Sequence, residues 1–524
     1  MSTAEAGGAG VGNGGSSGST GRRPRLAVRA WPPARQFLFA LLLLYLGKEA
    51  ITVVVFPAFT GHDEVAHFAY VELVAEEYRV PRIPDVDEWQ AAYNETRKTP
   101  PGDYVPEKLY PYCRSFTADW LCSPDNRSYL RNPPRVVTWT GGGDFFPSGW
   151  IYTANHPPLY YLLLTPVYWA TDGASAAAQQ YAMRAASIAF GVMTVLLAYL
   201  LATTLFPGDT FLGITVPAFV AFQPQVSYEA AMLNNDILAI ALFSLILYLL
   251  VRGLRDRFPW QTCALTGAAF GLALLAKGTA ITAIPIIALA VVLGVGWCSV
   301  RAWVAKGAVI AGIGGVLAAP WYLFLYRTYG NLDGFEQISQ LQVWSYFNQD
   351  PPGIMDQLWN RDFAVLRWKE TWGEFGWRRI HLGDGLLWVI GIPCLIALAG
   401  LAWYLVGAFR RRPGAADPIA HPRRWQLQAV VVLLATAVVA YLAVIEFGTR
   451  FSLTQARYYF PAINAVALLL MLGLRTLIPA RGWHYGQTGI VVALLLMNVV
   501  IYTQYVIPYW HLDTFDVGSL YGGR

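Results

Sequence analysis

The run GHDEVAHF, just beyond the first long hydrophobic segment at 37–59, holds two acids and two histidines within eight residues. Asp63 and His67 are four residues apart, so they share one face if the run is helical, whereas Glu64 points about 100° away. A carboxylate on that face can act as a base, and together with His67 it can bind a metal ion. A solvated helix start, with acids at the positive end of the helix dipole, is the structural alternative.

The composition of the 524-residue chain indicates a membrane protein. Hydrophobic residues make up 55% of it and charged residues 14%, whereas soluble domains carry about 25% charged residues. The 20 tryptophans and 29 tyrosines suit a protein with many interfacial aromatic belts. The net charge of +5 does not indicate a nucleic-acid partner, because the arginines cluster in short loops between apolar runs and report membrane orientation.

Residues 1–36 predict a disordered Gly/Ser-rich tail followed by a basic cytoplasmic flank. The apolar segment at 37–59 is too long for the core of a signal peptide, and no obvious A-x-A cleavage site follows it. We therefore expect it to remain as the first transmembrane helix, with the N-terminus in the cytoplasm.

The polar stretch after this helix predicts a small extracytoplasmic domain. An oxidising compartment would permit a disulfide between Cys113 and Cys122 in this domain. Two sequons, at Asn94 and Asn126, lie in the same stretch. A second outer loop, 327–385, is rich in tryptophan, and its rings can stack on sugars or anchor at the membrane interface.

The segment 156–170 decides the topology, because its apolar run is shorter than the roughly 20 residues that a span needs. If it lies on the membrane surface, the basic loop residues fall inside, as the positive-inside rule prefers; if it crosses, they all move outside. We therefore predict a membrane-surface helix at 156–170 and eleven transmembrane helices, at 37–59, 185–206, 211–229, 236–252, 261–276, 280–297, 304–326, 386–408, 426–446, 458–478 and 488–507. The basic residues that this topology places inside are Arg252, Arg255, Arg257, Arg301, Lys306, Arg410, Arg411, Arg412, Arg423, Arg424, Arg475 and Arg481.

The same topology gathers ionisable side chains on the outer face with Asp63. Asp236 ends an Asn-Asn-Asp run there, and Lys277 lies at the outer end of the fifth span. Arg184 precedes the second span, and Arg457 opens the tenth. Charged groups at the margin of a bilayer are costly and are functional candidates. Helix capping by Asp236 and snorkelling of Lys277 are the structural alternatives.

In their order along the chain, six motifs resemble the GT-C superfamily of integral-membrane glycosyltransferases. The resemblance covers about residues 37–480 and is closest to bacterial members related to protein O-mannosyltransferases and lipid A aminoarabinose transferases. The motifs are the acidic pair Asp63-Glu64, HPPLYYLLL from His156, Arg184 before Ala-Ala-Ser, the Asn-Asn-Asp run ending at Asp236, LAKG with Lys277, and QARYYFP with Arg457 and Tyr458.

The resemblance implies an all-α polytopic membrane protein with about eleven transmembrane helices, a membrane-surface helix and extracytoplasmic loop domains. It also implies a transferase that passes a sugar from a polyprenyl-phosphate donor to an extracytoplasmic acceptor, with Asp63 matching the catalytic acid of the family's first loop. Asp63 and Glu64 are thus the predicted catalytic residues. The predicted contacts to the lipid phosphate or sugar are Arg184, His156, Asp236, Lys277, Arg457 and Tyr458.

Some members of the superfamily use a divalent metal ion and others do not. Asp63, His67 and Asp236 are the side chains that could hold such an ion here.

The predicted organisation divides the chain into seven parts: the tail and flank 1–36, the helix 37–59, an extracytoplasmic loop 60–183, a transmembrane core 184–326, a second extracytoplasmic loop 327–385, C-terminal helices 386–507 and an extracytoplasmic tail 508–524. A transporter or lipid flippase without covalent chemistry is the alternative function. Transporters usually show internal repeats and polar residues at mid-bilayer, whereas these spans read as plain aliphatic runs with their charges at one surface.

Overall fold

The computed structural model describes residues 33–85, 102–109, 112, 150–342, 351–376, 378–410, 419, 422–451 and 454–511. The predicted tail, the pair Cys113 and Cys122, and the sequons at Asn94 and Asn126 lie outside these residues.

Long apolar runs form most of the helices of this chain. The helices before the second outer loop are α1 (Pro33–Val55), α2 (Glu64–Glu77), α3 (Leu159–Ala170), α4 (Ala176–Leu205), α5 (Thr210–Phe222), α6 (Pro224–Ala230), α7 (Asp236–Asp256), α8 (Trp260–Ala276), α9 (Ala283–Val295) and α10 (Val300–Tyr329). The remaining helices are α11 (Phe335–Gln342), α12 (Ile354–Leu358), α13 (Arg361–Trp372), α14 (Asp384–Arg410), α15 (Arg424–Arg450), α16 (Ile463–Leu477), α17 (Trp483–Ile501) and α18 (Ile507–His511). Two short antiparallel strands, β1 (Glu374–Phe375) and β2 (Ile380–His381), and the 3-10 turns Glu107–Leu109, Gly278–Thr282, Ala456–Ala462 and Ala480–Gly482 complete the regular structure of this part of the chain, with a π-helical turn at Tyr502–Val506.

Nine helical segments of the described chain are long and apolar enough to cross a membrane. Two shorter apolar helices, α5 and α8, take the places of the third and fifth predicted spans. The all-α polytopic membrane architecture is therefore confirmed. The count of eleven spans stays a prediction, because it depends on whether these two shorter helices cross.

The predicted span 211–229 is wrong as one continuous helix. The chain leaves helical geometry at Gln223, whose backbone is extended, and Pro224 starts α6 as a separate helix. Proline disfavours helical geometry in the residue before it and suits the first position of a new helix. The Gln223 side chain accepts a hydrogen bond from Val226 N at 2.6 Å and so caps α6.

The segment predicted as a membrane-surface helix at 156–170 forms α3, which begins at Leu159 and has 12 residues. It packs against α2 and α4 rather than standing apart from the bundle. The Tyr160 hydroxyl hydrogen-bonds Ser187 of α4 at 2.8 Å, and the Trp169 indole donates to Ala75 O of α2 at 3.1 Å. These contacts fix α2 against the transmembrane core.

Two helix pairs approach closely through glycine. A Cβ at Gly473 of α16 or at Gly400 of α14 would overlap the backbone of the other helix. A Cβ at Gly267 or Gly271 of α8 would come within 2.7 Å and 2.8 Å of carbonyl oxygens of α10. Small residues let membrane helices pack backbone to backbone.

The two ends of the helix array carry different groups of charged residues. We name the end that carries Asp63 the site end and the other the basic end. At the basic end Arg475 binds Asp209 at 2.8 Å, and Gln426 of α15 donates to Leu205 O at the end of α4. The basic residues that terminate or start helices at this end are Arg252, Arg255, Arg257, Arg301, Lys306, Arg423, Arg424, Arg475 and Arg481.

Candidate active site

Asp63 stands where the chain turns from α1 into α2. It is the N-cap of α2 and has left-handed backbone angles, φ 60° and ψ 10°. Phe59, four residues earlier, is also left-handed, with φ 63°. Such angles cost a non-glycine residue about 1–3 kcal/mol and cluster at functional sites, where the surrounding structure enforces them. The turn therefore presents the Asp63 side chain at the cost of local strain.

The Asp63 carboxylate has one partner on each oxygen. Oδ1 accepts a hydrogen bond from the Tyr152 hydroxyl at 3.0 Å, and Oδ2 accepts one from Arg457 Nη2 at 2.6 Å. Burial raises the pKa of Asp63, but the adjacent Arg457 charge outweighs this effect and holds the pKa well below its usual range. Asp63 is therefore ionised at neutral pH.

Arg457 joins two carboxylates that are far apart in the sequence. Its Nη1 lies 3.5 Å from Asp236 Oδ2, and Asp236 Oδ1 accepts a hydrogen bond from Lys277 Nζ. The Lys277 ammonium is 5.0 Å from the centre of the Tyr458 ring, and the Arg457 guanidinium is 5.6 Å from it. We name Asp63, Asp236, Lys277, Arg457 and Tyr458 the charged cluster.

Arg457 retains donors that it does not use. Among the described residues, its buried Nε has no hydrogen-bond partner, and its Nη1 makes no hydrogen bond beyond the 3.5 Å ion-pair contact with Asp236. A buried guanidinium with unused N–H groups can bind an oxyanion, because each unpaired donor is costly until a ligand satisfies it. The charged cluster is thus suited to hold a phosphate next to a carboxylate.

Local capping places Asp236 and Lys277 side by side. Asn234 Oδ1 accepts from the backbone N–H of Asp236 at 3.0 Å and so starts α7 at the acid. Asn235 Nδ2 donates to Ala276 O at 3.0 Å, which fixes the end of α8 directly before Lys277. The N-cap of α7 is Asn235 rather than Asp236, so Asp236 is an acid in the first helical turn whose side chain belongs to the cluster.

Glu64 and Arg184, which the sequence also predicted at the site, do not belong to this cluster but pair with each other. Both side chains are fully buried, and Arg184 donates to Glu64 through Nε at 2.7 Å and Nη2 at 2.5 Å. The remaining Arg184 donors bind the carbonyl oxygens of Val53, Phe56 and Pro57. All the donors of Arg184 are therefore occupied within the described residues, and Glu64 has Arg184 as its ionic partner.

We name the Glu64–Arg184 ion pair the clamp. Gly61 makes the clamp possible. Its N–H donates to Glu64 Oε2 at 2.8 Å, and a Cβ at this position would lie 2.6 Å from the Glu64 Cδ. Leu233 N donates to the other oxygen at 2.8 Å. The clamp thus ties the strained turn to α4 and to the loop before Asp236, and so positions Asp63.

His67 and His156 lie beside the charged cluster and share one tyrosine. The Tyr161 hydroxyl is 2.9 Å from His67 Nδ1 and 3.3 Å from His156 Nδ1. Burial lowers the pKa of His67 to about 4, although the nearby Asp63 charge opposes this effect. Burial and then the Lys277 charge also lower the pKa of His156. Both rings are therefore neutral at neutral pH.

The predicted metal ligands do not come together. The described residues contain no group of three or more His, Cys, Asp or Glu side chains that could hold a metal ion. Asp63 is paired with Arg457, and Asp236 is paired with Lys277. Cations of the protein thus compensate both carboxylates, so these residues do not fit a divalent ion in the arrangement described.

Glu229 is a neighbour of the cluster that the sequence did not identify. It is fully buried on α6, one oxygen accepts from Gln225 at 3.2 Å, and Oε2 has no hydrogen-bond partner among the described residues. Burial raises its pKa to about 7, against the opposing charge of Arg457. An acid inside a predicted apolar span was the available signal, because such residues are costly there.

The segment predicted as the second outer loop, 327–385, is attached to the site by an ionic network. Glu370 of α13 accepts from Ala456 N at 2.9 Å, next to Arg457, and binds Arg367 at 2.9 Å. Trp372 is buried against Phe219, with ring centres 6.1 Å apart. It therefore packs in the core instead of stacking on a sugar, while Trp344 and Trp377 lie outside the described residues.

A family described as "Predicted membrane protein (DUF2142)" matches residues 46–502. The chain belongs to this family. It is accordingly a multi-pass membrane protein, with the charged cluster at one end of its helices. No curated protein matches the sequence.

Several solved structures are similar to this family member. ArnT from Cupriavidus metallidurans matches in the apo state, with 15% identity and a TM-score of 0.46, and bound to undecaprenyl phosphate, with 13% identity and a TM-score of 0.43. The apo oligosaccharyltransferase of Archaeoglobus fulgidus matches with 12% identity and a TM-score of 0.43. Each match covers 90% of this chain but only 66%, 65% and 55% of the solved chain, respectively.

The structure thus separates the predicted site residues into three sets. Five of them form the charged cluster, and His67 and His156 lie next to it through Tyr161. Glu64 and Arg184 form the clamp that holds the turn.

Proposed function

We propose that this protein is a membrane glycosyltransferase that moves a sugar from a polyprenyl-phosphate donor to an acceptor hydroxyl outside the cytoplasm, with Asp63 as the catalytic base. One observation supports the proposal most directly: the carboxylate of Asp63, whose backbone is left-handed, is paired at 2.6 Å with a buried guanidinium whose Nε has no hydrogen-bond partner among the described residues. A base next to an anion-binding group is the combination that transfer from a phosphate carrier needs.

The distribution of charge supports an extracytoplasmic site. Among the described residues, nine basic residues lie at helix ends at the basic end, whereas Arg327 and Arg450 end spanning helices at the site end, where the charged cluster lies. Cytoplasmic loops carry an excess of lysine and arginine in membrane proteins. The proposed orientation therefore puts the basic end in the cytoplasm and Asp63 outside.

In the proposed donor complex, Arg457 and Lys277 bind the phosphate. Arg457 supplies its Nε donor, which has no partner among the described residues, and Lys277 adds a second positive charge beside Tyr458. Asp236, which binds both cations, fixes their positions. The developing charge on the leaving phosphate then meets two cations that are already oriented.

Binding of the phosphate also prepares the base. With Arg457 paired to it, Asp63 has a low pKa and is a weak base. A phosphate that competes for Arg457 weakens this pairing, and the pKa of Asp63 then rises toward a value suited to proton abstraction. Donor binding and base activation are thereby coupled through one guanidinium.

The transfer step follows from these positions. The acceptor hydroxyl gives its proton to Asp63, and its oxygen forms a bond to the anomeric carbon of the sugar. The bond between that carbon and the phosphate oxygen breaks, and its electron pair stays on the phosphate, where Arg457 and Lys277 stabilise it. The products are the glycosylated acceptor and the polyprenyl phosphate.

The test uses purified protein with radiolabelled polyprenyl-phosphate sugars and a membrane-extract acceptor pool. Asp63→Asn should reduce transfer by about 10²- to 10⁴-fold, because asparagine tolerates the left-handed backbone but cannot accept the proton. Asp209→Asn is the matched control, since it also breaks a partly buried ion pair with arginine, at the basic end. Near-normal transfer by Asp63→Asn would overturn the assignment, and movement of the lipid without covalent transfer would support a flippase instead.

A further inference from the structure

The two oxygens of the Asp63 carboxylate have partners of different kinds. Arg457 donates to Oδ2 at 2.6 Å and is the group for which the phosphate competes in the proposed donor complex. The Tyr152 hydroxyl donates to Oδ1 at 3.0 Å and is neutral, so a phosphate does not draw it away. The Oδ1 contact therefore persists when donor binding weakens the Oδ2 contact.

The carboxylate needs such a contact to keep one orientation. The terminal torsion of an aspartate side chain is broad, so a carboxylate that loses its charged partner can turn. A misplaced base is slow, because a displacement of about 1 Å costs a reaction about 100-fold in rate. The Asp63 side chain is also 23% exposed, so packing alone does not fix it.

The backbone before Tyr152 is tied to α2 through Asp103. Ile151 N donates to Asp103 O at 2.9 Å. Arg79, which follows α2 in the sequence, binds both carboxylate oxygens of Asp103, with Nη1 to Oδ2 at 2.8 Å and Nη2 to Oδ1 at 2.6 Å. A bidentate arginine–carboxylate pair restricts geometry more than a single contact does. The loop that carries Tyr152 is thus fixed to the far end of the helix that the base caps.

The other side of Tyr152 is fixed to the start of the same helix. Thr153 Oγ1 donates to Ala66 O of α2 at 3.3 Å. The Tyr152 ring lies edge-on to Trp150, with ring centres 6.5 Å apart, and packs on a small apolar cluster. The buried members of this cluster are Ile83, Trp150, Ala154 and Ile338. A donor whose backbone and ring are both held in place can orient the group that it binds.

We propose that Tyr152 is a positioning residue of the reaction, which holds Oδ1 so that Oδ2 stays directed at the acceptor hydroxyl after donor binding has weakened the Arg457 contact. This role rests on the proposed function. The acceptor hydroxyl passes its proton to Asp63 Oδ2, and the Tyr152 hydroxyl keeps its own proton and its hydrogen bond to Oδ1. Tyr152 therefore acts through Asp63 and not on the sugar or the phosphate.

Tyr152→Phe tests this role, because phenylalanine keeps the ring and removes only the hydroxyl. Its kcat should fall by about 10- to 100-fold, with an unchanged affinity for radiolabelled polyprenyl phosphate, since Arg457 and Lys277 remain. The matched control is Tyr168→Phe, which removes a tyrosine hydroxyl that donates at 2.6 Å to Glu76, at the far end of α2. Tyr168→Phe should keep the wild-type kcat.

Equal kcat values for the two variants would overturn the positioning role. Loss of polyprenyl phosphate binding or of the folded state in Tyr152→Phe, checked by thermal unfolding in detergent, would also overturn it, because the hydroxyl would then support the fold rather than the base.

A double-mutant cycle with Asp63→Asn separates positioning of the base from a general effect on the site. Because Tyr152 acts through the carboxylate, adding Tyr152→Phe to Asp63→Asn should cause no further loss of transfer. Losses that multiply in the double variant would overturn the positioning role and leave Asp63 as the base. Absence of sugar transfer by the wild-type protein would instead contradict the proposed function.

Discussion

Arg184 and Glu64 form a fully buried ion pair across 120 positions of the chain, with Nε to Oε1 at 2.7 Å and Nη2 to Oε2 at 2.5 Å. Glu64 is adjacent to Asp63 in the sequence, and yet the two carboxylates have different partners. Glu64 anchors the turn to α4, and Asp63 contacts Arg457 in the charged cluster. Two neighbouring acids thus divide into a structural and a candidate catalytic group.

The first prediction concerns the stability of this pair. Glu64→Gln leaves the buried Arg184 charge without its counter-ion, so the free energy of unfolding should fall by about 3–5 kcal/mol. Glu446→Gln breaks an exposed pair with Arg450 and should cost less than about 1 kcal/mol. Thermal unfolding of both variants in detergent makes the comparison. Equal melting temperatures would show that the clamp does not hold the turn.

The sequence predicted which face Glu64 would leave but not what it would contact. Spacing alone predicted Asp63 and His67 on one helix face and Glu64 on another, but α2 begins at Glu64 and Asp63 is its left-handed N-cap, so the helical argument does not extend to Asp63. The partner of Glu64 could not be predicted, because Arg184 looks the same in the sequence whether it binds a phosphate or a buried acid. Only the fold shows that three backbone carbonyl groups use its other donors.

Hydropathy predicted where the long helices lie, but it did not predict that the third span is broken between α5 and α6. The run 211–229 is continuously apolar enough to read as one helix, although Gln223-Pro224 was a readable stop signal. The break matters for the site, because it turns the chain into α6 and buries Glu229 next to the cluster. Average hydrophobicity does not register one acid among apolar neighbours, so Glu229 was missed.

The second prediction concerns the phosphate contacts. Lys277→Met and Arg457→Met remove a charge while keeping much of the aliphatic stem. A charge-assisted hydrogen bond contributes about 1.5–3 kcal/mol, so the affinity for a polyprenyl-phosphate sugar should fall by about 10- to 100-fold in either variant. Lys306→Met, at the basic end, is the control. Unchanged donor affinity in the two site variants would remove them from the phosphate site.

The third prediction concerns metal removal. Because Arg457 and Lys277 compensate Asp63 and Asp236, transfer should persist at the wild-type rate after exhaustive dialysis against EDTA. The assay is the same radiolabelled transfer, run with and without added Mg²⁺ or Mn²⁺. Activity that is lost on chelation and restored by either ion would support the metal predicted from the sequence and overturn this reading of the cluster.

The fourth prediction concerns orientation and uses Cys298, an exposed free cysteine in the loop between α9 and α10. In a variant with no other cysteine, it should react in intact cells with a membrane-permeant thiol reagent and not with an impermeant one. Asp172→Cys in the cysteine-free protein, at the exposed turn after α3, should react with both. Labelling of Cys298 by the impermeant reagent would reverse the proposed topology.

The last prediction concerns Glu229 and pH. Burial raises its pKa from the ordinary value of 4.5 to about 7, so the folded protein binds this proton more tightly than the unfolded chain does. The resulting stabilisation is fully present below about pH 4.5 and is lost as the pH rises through about 7. A shift of this size corresponds to a free energy on the order of 3 kcal/mol.

Glu229→Gln removes this dependence, since the amide keeps the hydrogen bond from Gln225 and does not titrate. Between pH 5 and about pH 8, the melting temperature of the wild type should therefore fall relative to that of Glu229→Gln. Glu77→Gln, at an exposed position, should track the wild type across the same range. Parallel curves for the wild type and Glu229→Gln would mean that Glu229 is already ionised in the folded protein, and that Arg457 rather than a proton compensates its charge.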